Sequence, residues 1–181
     1  MKAFAELYAE LDATTSSNAK LAAMQVYFAQ AAPQDAAWAV YFLSGGRPRQ
    51  LVPVRILREI AVEMSGLEPW LFEESYQSVG DLAETISLVL PENPHSSDAG
   101  LAESIEDKLL PLRGETPESL SLQLPALWAQ LDRPSLMLCI KLITGSFRVG
   151  VSKLLVTRAL ASMAGLDSNR VAQRLVGYTD L

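Results

Sequence analysis

Apolar residues recur at three- and four-residue intervals along almost the whole of this 181-residue chain, and nowhere do they alternate convincingly with polar ones. A spacing of i, i+3, i+4, i+7 lines up one face of a helix, whereas a half-buried strand needs a period of two. Phe4, Leu7, Tyr8 and Leu11 set the first such face. The cap-rich stretch Thr14 to Asn18 introduces a second helix through Leu21, Met24 and Phe28. Pro33 opens a third, with Trp38, Phe42 and Leu43 as core candidates, and Gly45-Gly46 closes it. Pro53 sits where another helix begins and Gly66 where it stops. Trp70, Leu71 and Tyr76 form a short apolar segment before Gly80.

Asp81-Leu82-Ala83-Glu84 reads as a capping-box start for a helix running to Pro91. The Pro, Asn, Ser and Gly residues between 91 and 100 make the clearest loop and the expected internal divide. Further helices are expected over 101–110, 117–130, 135–144, 152–164 and 168–176. Gln50 to Val54 is too short for a strand and contains Pro53. The expected class is all-α.

With 49% hydrophobic and 20% charged residues, the chain can bury an apolar interior, which excludes intrinsic disorder. A single cysteine, Cys139, and a single histidine, His95, exclude an internal disulfide and a His/Cys metal cluster. The longest apolar run, Ala36 to Leu43, is eight residues, far short of the roughly 18 that a membrane span needs. The N-terminus lacks the apolar core of a signal peptide. A soluble, cytoplasmic protein with no membrane partner is the expectation.

The net charge of −6 argues at first against nucleic acid, but its distribution says more. Residues 59–132 hold fifteen acids against Lys108 and Arg113, whereas residues 141–181 carry a net +4 through Lys141, Arg148, Lys153, Arg158, Arg170 and Arg174. Arg47, Arg49, Arg55 and Arg58 form a second basic group. Solvated helix faces account for any single one of these arginines; two separate clusters in an acidic chain suggest a localised anion-binding surface.

Between two apolar helices lies Gly145-Ser-Phe-Arg-Val-Gly-Val-Ser-Lys153. Gly145 suits a helix C-cap, Gly150 a close backbone approach, and Ser152 the N-cap of the next helix. The free N–H groups of that helix start, with Arg148 and Lys153, can form a phosphate site; the alternative is a plain tight turn with a capped helix. Ser78-Val-Gly-Asp-Leu-Ala83 is weakly similar, which hints at an internal duplication with two like loops. Asp81 would repel a phosphate if exposed, so its expected role is capping.

No catalytic constellation stands out. His95 lies in a Pro/Ser loop and reads as a solvated loop residue, and Cys139 is flanked by Leu138 and Ile140 and reads as buried. Trp38, Trp70 and Trp128 read as core or interface anchors, and neither a P-loop nor a Gly-X-Gly-X-X-Gly after a strand occurs.

The run Lys141-Leu-Ile-Thr-Gly-Ser-Phe-Arg-Val-Gly-Val-Ser-Lys-Leu-Leu-Val-Thr-Arg-Ala-Leu-Ala161 resembles the signature of the N-terminal DNA-binding domain of ATP-dependent DNA ligases in its bacterial form. Asp35-Ala-Ala-Trp-Ala-Val-Tyr-Phe-Leu-Ser-Gly-Gly46, Trp70 to Tyr76 and Val79 to Glu84 support it, and the likeness extends to Arg174-Leu-Val-Gly177. It implies one all-helical domain over residues 1–181 with approximate internal two-fold symmetry. Such a domain holds the minor groove of nicked double-stranded DNA through backbone phosphates, without sequence preference, in replication, repair or recombination. By position, Gly145, Ser146, Arg148, Gly150, Ser152 and Lys153 match the phosphate-facing loop, and Gly80 with its helix start matches the loop of the other half. Arg47, Arg49 and Arg158 are added on charge alone.

None of Lys2, Lys20, Lys108, Lys141 or Lys153 stands in the Lys-X-Asp-Gly adenylation motif of the family. The resemblance therefore implies that the catalytic nucleotidyltransferase and OB domains, which use ATP and Mg2+, are partners beyond Leu181 in the same polypeptide. No cofactor is expected in this chain, and the implied setting is the nucleoid. The competing expectations are an α-helical protein-interaction module, favoured by the net negative charge, and a small helical enzyme built on Ser152 or Cys139, for which no residue supplies a base.

Overall fold

Proline, glycine and short oxygen-bearing side chains cut the chain into helices much as their local chemistry dictates. The computed structural model describes residues 1–93 and 97–177; His95 lies outside them. Among the described residues there are eleven α-helices and no strands. They are α1 (Lys2–Asp12), α2 (Ser17–Gln30), α3 (Pro33–Leu43), α4 (Val54–Ser65), α5 (Pro69–Val79) and α6 (Leu82–Val89). After the 91–100 connection come α7 (Leu101–Glu103), α8 (Pro117–Trp128), α9 (Arg133–Thr144), α10 (Lys153–Ala164) and α11 (Ser168–Arg174). None is long and apolar enough to cross a membrane.

The starts are capped as the composition leads one to expect. Ser16, Asp81, Thr116, Asp132, Ser152 and Asp167 each accept a hydrogen bond from a first-turn backbone N–H. Gly66, Gly145 and Gly165 end α4, α9 and α10 in the left-handed conformation.

Four stretches differ from the sequence expectation. Over 101–110 the helix is α only in α7; it widens to a π-helix over Ser104–Leu109 and tightens to a 3-10 turn over Leu110–Leu112. Pro111 explains this, because it has no N–H and its ring crowds the carbonyl four residues back. Leu110 N–H accordingly donates to Ile105 O, five residues behind it. The apolar segment before Gly80 is a full helix, α5, whose only buried residue is Phe72. Trp70, at 66% exposed, is therefore no core anchor, whereas Trp128 is buried and Trp38 half-buried. The helix expected over 117–130 ends at Trp128, and the last one, expected to reach 176, ends at Arg174.

The helices gather into two compact units. The first comprises Met1–Pro48, Gly100–Ala102 and Phe147–Leu181; the second comprises Arg49–Ala99 and Glu103–Ser146. In the first, α2 packs against α1 and α10, and α10 against α3 and α11. Its interior is aromatic: Phe4 lies 5.7 Å from Tyr27, 6.3 Å from Phe42 and 5.6 Å from Phe147, ring centre to ring centre. In the second, α6 packs against α9, α4 and α5, and α4 against α8. Its interior is aliphatic, with Leu57, Ile86, Leu109, Leu124, Leu138 and Ile140 completely buried.

Replacing Leu57 by alanine is expected to cost about 2–5 kcal/mol in urea denaturation, because it opens a cavity in close-packed surroundings. The same change at Leu122, 77% exposed on α8, is expected to stay within about 0.5 kcal/mol.

Candidate nucleic-acid interface

Each of the two glycine turns singled out in the sequence is held from behind by a buried lysine. In the first unit Lys20, on α2, is 7% exposed. It falls in register with Met24, Tyr27 and Phe28, at i, i+4, i+7 and i+8, so the apolar stripe of α2 carries it inward. Its Nζ donates to the backbone carbonyls of Val149 and of Gly150, the latter at 3.3 Å. Gly150 has φ +58°, and a Cβ there would meet Lys20 Nζ at 3.1 Å. The glycine is thus required from within, by its backbone conformation and by the ammonium beneath it.

Side chains fix the same turn. Phe147 and Val149 are buried, whereas Ser146, Arg148 and Gly150 are exposed. Phe147 inserts among Phe4 (5.6 Å), Tyr8 (5.5 Å) and Phe42 (6.0 Å). Arg148, between two anchored neighbours, is presented to solvent. Two residues beyond Gly150, Ser152 Oγ accepts from Leu155 N at 3.2 Å and starts α10. The N–H groups of Lys153 and Leu154 belong to that first turn and have no intrahelical partner. Lys153 and Arg158 are exposed on α10, and Arg158 lies on the face of the exposed Leu154, about 7 Å along the axis from Lys153.

Arg47 and Arg148 line one open cleft of about 520 Å³ with Ser44, Gly45, Gly150 and Val151, and no acidic residue contributes to its wall. The arginines, the helix start and the Lys20 ammonium behind the turn give this part of the first unit a positive potential. An anionic, extended ligand such as a phosphodiester backbone suits it.

The second unit repeats the device with different electrostatics. Gly80, at φ +79°, ends α5, and Asp81 starts α6 by accepting from Glu84 N at 2.9 Å through Oδ1. The other oxygen, Oδ2, accepts from Lys141 Nζ at 2.6 Å, and that lysine is 6% exposed on α9. Burial would raise the Asp81 carboxyl, but the Lys141 hydrogen bond and charge and the backbone N–H groups of Glu84 and Ala83 outweigh it and hold the group below its ordinary value of 3.8. Asp81 caps, as its place in the sequence suggests, and Lys141 neutralises it. The start of α6 is therefore a balanced pair, in contrast to the cationic start of α10.

Gly145, at φ +69°, and Ser146 belong to the second unit at the end of α9, where Ser146 N bonds Lys141 O at 3.0 Å. Arg49 is exposed in the same unit. The structure brings Arg47, Arg148 and Gly150 together in one cleft, with Ser152 and Lys153 at the adjoining helix start; Arg158 shares only the helix. Cys139 is buried completely and its thiol is pushed up to about 12, which leaves no thiolate for chemistry near neutrality. Sequence reasoning missed Lys20 and Phe147 as anchors. A cation in the apolar stripe of α2 and the alternation from Ser146 to Gly150 were the signals for them.

Two outcomes follow from this geometry. Gly150→Ala is expected to lose about 1–2 kcal/mol of stability in urea denaturation, for the left-handed conformation alone. Asp81→Asn retains a capping oxygen but removes the ion pair. A depressed carboxyl stabilises the fold above its unfolded value and loses that contribution as pH falls through its folded value. The deficit of Asp81→Asn against the native chain should therefore be largest near neutral pH and shrink below the ordinary aspartate value of 3.8.

The family described as DNA ligase N terminus matches residues 1–161 of the chain. No curated protein matches it.

Proposed function

The chain belongs to the family of N-terminal domains of ATP-dependent DNA ligases, and from that premise we propose that it grips nicked duplex DNA through backbone phosphates, without reading sequence, so that a nick is held for sealing. The observation that carries this reading is Arg148, held out to solvent between the buried Phe147 and Val149 at the capped start of α10. Backbone N–H groups and guanidinium groups bind phosphate oxygens, which are the same at every base pair.

In this reading Arg148, Lys153 and the first-turn N–H groups of α10 take one phosphate, and Arg47 across the cleft takes another. Ser152 holds the helix start in place, and Gly150 keeps the turn close to the surface. The Gly80 turn offers a second, weaker contact: with Asp81 neutralised by Lys141, it no longer repels DNA, but neither does it add charge. Arg49, Arg158, Gly145 and Ser146 contribute to the surrounding surface. The acidity of residues 59–132 supports a localised contact rather than a broad basic face.

The chain contains no Lys-X-Asp-Gly, so the covalent adenylation step, with its ATP and Mg2+, is assigned to catalytic domains of the parent ligase. The role of these residues is to bind and orient the duplex, in replication, repair or recombination.

Fluorescence anisotropy with a labelled nicked duplex across a salt series tests the reading. Binding should weaken linearly in log–log form with salt, and Arg148→Ala/Lys153→Ala should both lower affinity and flatten the slope by about 0.9, for the one phosphate that the two residues neutralise together. Binding that is absent at low salt, or equal in the double variant, would overturn the assignment.

A further inference from the structure

At the cationic start of α10 the chain exposes one large apolar side chain. Leu154, the second residue of that helix, is 67% exposed. The interior face of α10 is supplied by Leu155, Val156, Thr157, Ala159 and Ala161, all buried, so the core of the first unit is complete without Leu154. A lone exposed leucine is ordinary elsewhere on a protein surface. In this turn it is not.

The first turn of a helix favours acidic side chains, which meet the positive end of the dipole. Asp35, Glu84 and Glu118 take such places in α3, α6 and α8. The first turn of α10 has no acid and carries Lys153 and Leu154 instead. Neither Lys153 nor Arg158 has an ion-pair partner among the described residues. Both choices are locally unfavourable, which is the mark of a turn shaped for something outside the chain.

Helical side chains lean towards the N-terminus, so the isobutyl group of Leu154 extends over the chain that enters the helix, around Val151 and Ser152. Val151 is half-buried and lines the Arg47–Arg148 cleft, which has no acid in its wall. Lys153 directly precedes the leucine, and Arg158 follows four residues later on the same face. Of the exposed residues from Lys153 to Leu160, Leu154 alone is apolar, the others being Lys153 and Arg158. An apolar protein surface would find one matching side chain there and two unpaired cations.

A nucleic-acid strand offers the complementary pattern, because beside each charged phosphate lies a sugar ring with an uncharged carbon edge. We propose that Leu154 packs on the deoxyribose next to the phosphate held by Arg148 and Lys153, and so selects a DNA strand over an RNA strand at that position. The inference rests on the phosphate-binding reading of the α10 start. A ribose presents a 2′-hydroxyl in the minor groove. Against Leu154 that hydroxyl loses water and gains no hydrogen-bond partner from the side chain, which is a penalty deoxyribose does not incur.

The test is fluorescence anisotropy of the full chain with a nicked all-DNA duplex and with the same duplex carrying ribonucleotides in one strand or the other, across a salt series. The native chain should bind the all-DNA duplex about fivefold or more tightly than at least one of the substituted duplexes. Leu154→Ala should weaken all-DNA binding about three- to tenfold and reduce the preference to within about twofold. Its salt slope should match the native one, because no phosphate contact is lost. Leu154→Met keeps an apolar side chain of similar length and should retain both affinity and preference. Thermal melting of both variants should match the native chain, as expected for an exposed position. Arg148→Ala/Lys153→Ala reports separately on the phosphate contact through its slope. If that double variant weakens binding while Leu154→Ala does not, or Leu154→Ala weakens all the duplexes alike, or the native chain shows no preference, the sugar contact is overturned and the phosphate reading stands. If the double variant binds as the native chain does, both are overturned.

Discussion

The ammonium of Lys20, buried beneath the carbonyls of Val149 and Gly150, is the contact on which the shape of the candidate interface depends. An ammonium taken from water must recover several kcal/mol of solvation, and the two backbone carbonyls are what the structure offers it. With the side chains of Phe147 and Val149 buried on either side, Arg148 between them is turned outward. The charge that organises the surface is thus itself hidden.

The two glycine turns are alike in plan and unlike in detail. Both precede helices that pack on a lysine-bearing helix, α10 on α2 and α6 on α9. Lys20, however, lies in the first turn of α2 and Lys141 in the last turn of α9. One lysine meets carbonyls and leaves the local potential positive; the other meets a carboxylate and cancels it. A pair of similar sequence segments therefore yields one anion-attracting site and one neutral site.

Helix starts were legible because capping is a local matter: Asp81, Thr116 and Ser152 cap where their sequence neighbourhoods indicate. Gly145 and Gly150 were legible as turn residues for the same reason. What periodicity could not supply was which of several apolar residues wins the interior. In α5 Phe72 takes that place and leaves Trp70 in solvent. The π-helical stretch was also obscured, because Pro111 acts backwards on residues whose own spacing is ordinary. Lys20 was hidden because a lone lysine in an apolar stripe becomes meaningful only when its partner, far along the chain, is known.

That separation bears on the order in which the molecule is made. Residues 49–146 supply the whole of the second unit apart from the short Gly100–Ala102 insert of the first, whereas the first unit joins Met1–Pro48 to a segment beginning at Phe147. Lys20 leaves the ribosome 129 residues ahead of its partner Val149. During synthesis the second unit has all its strands of contact in hand while α1, α2 and α3 still await α10, with the Lys20 charge in water and Phe4 lacking its stacked neighbour. The turn that carries Arg148 is accordingly among the last parts of these two units to acquire its form, and a nascent chain stopped before residue 147 carries the acidic helices without the basic cleft.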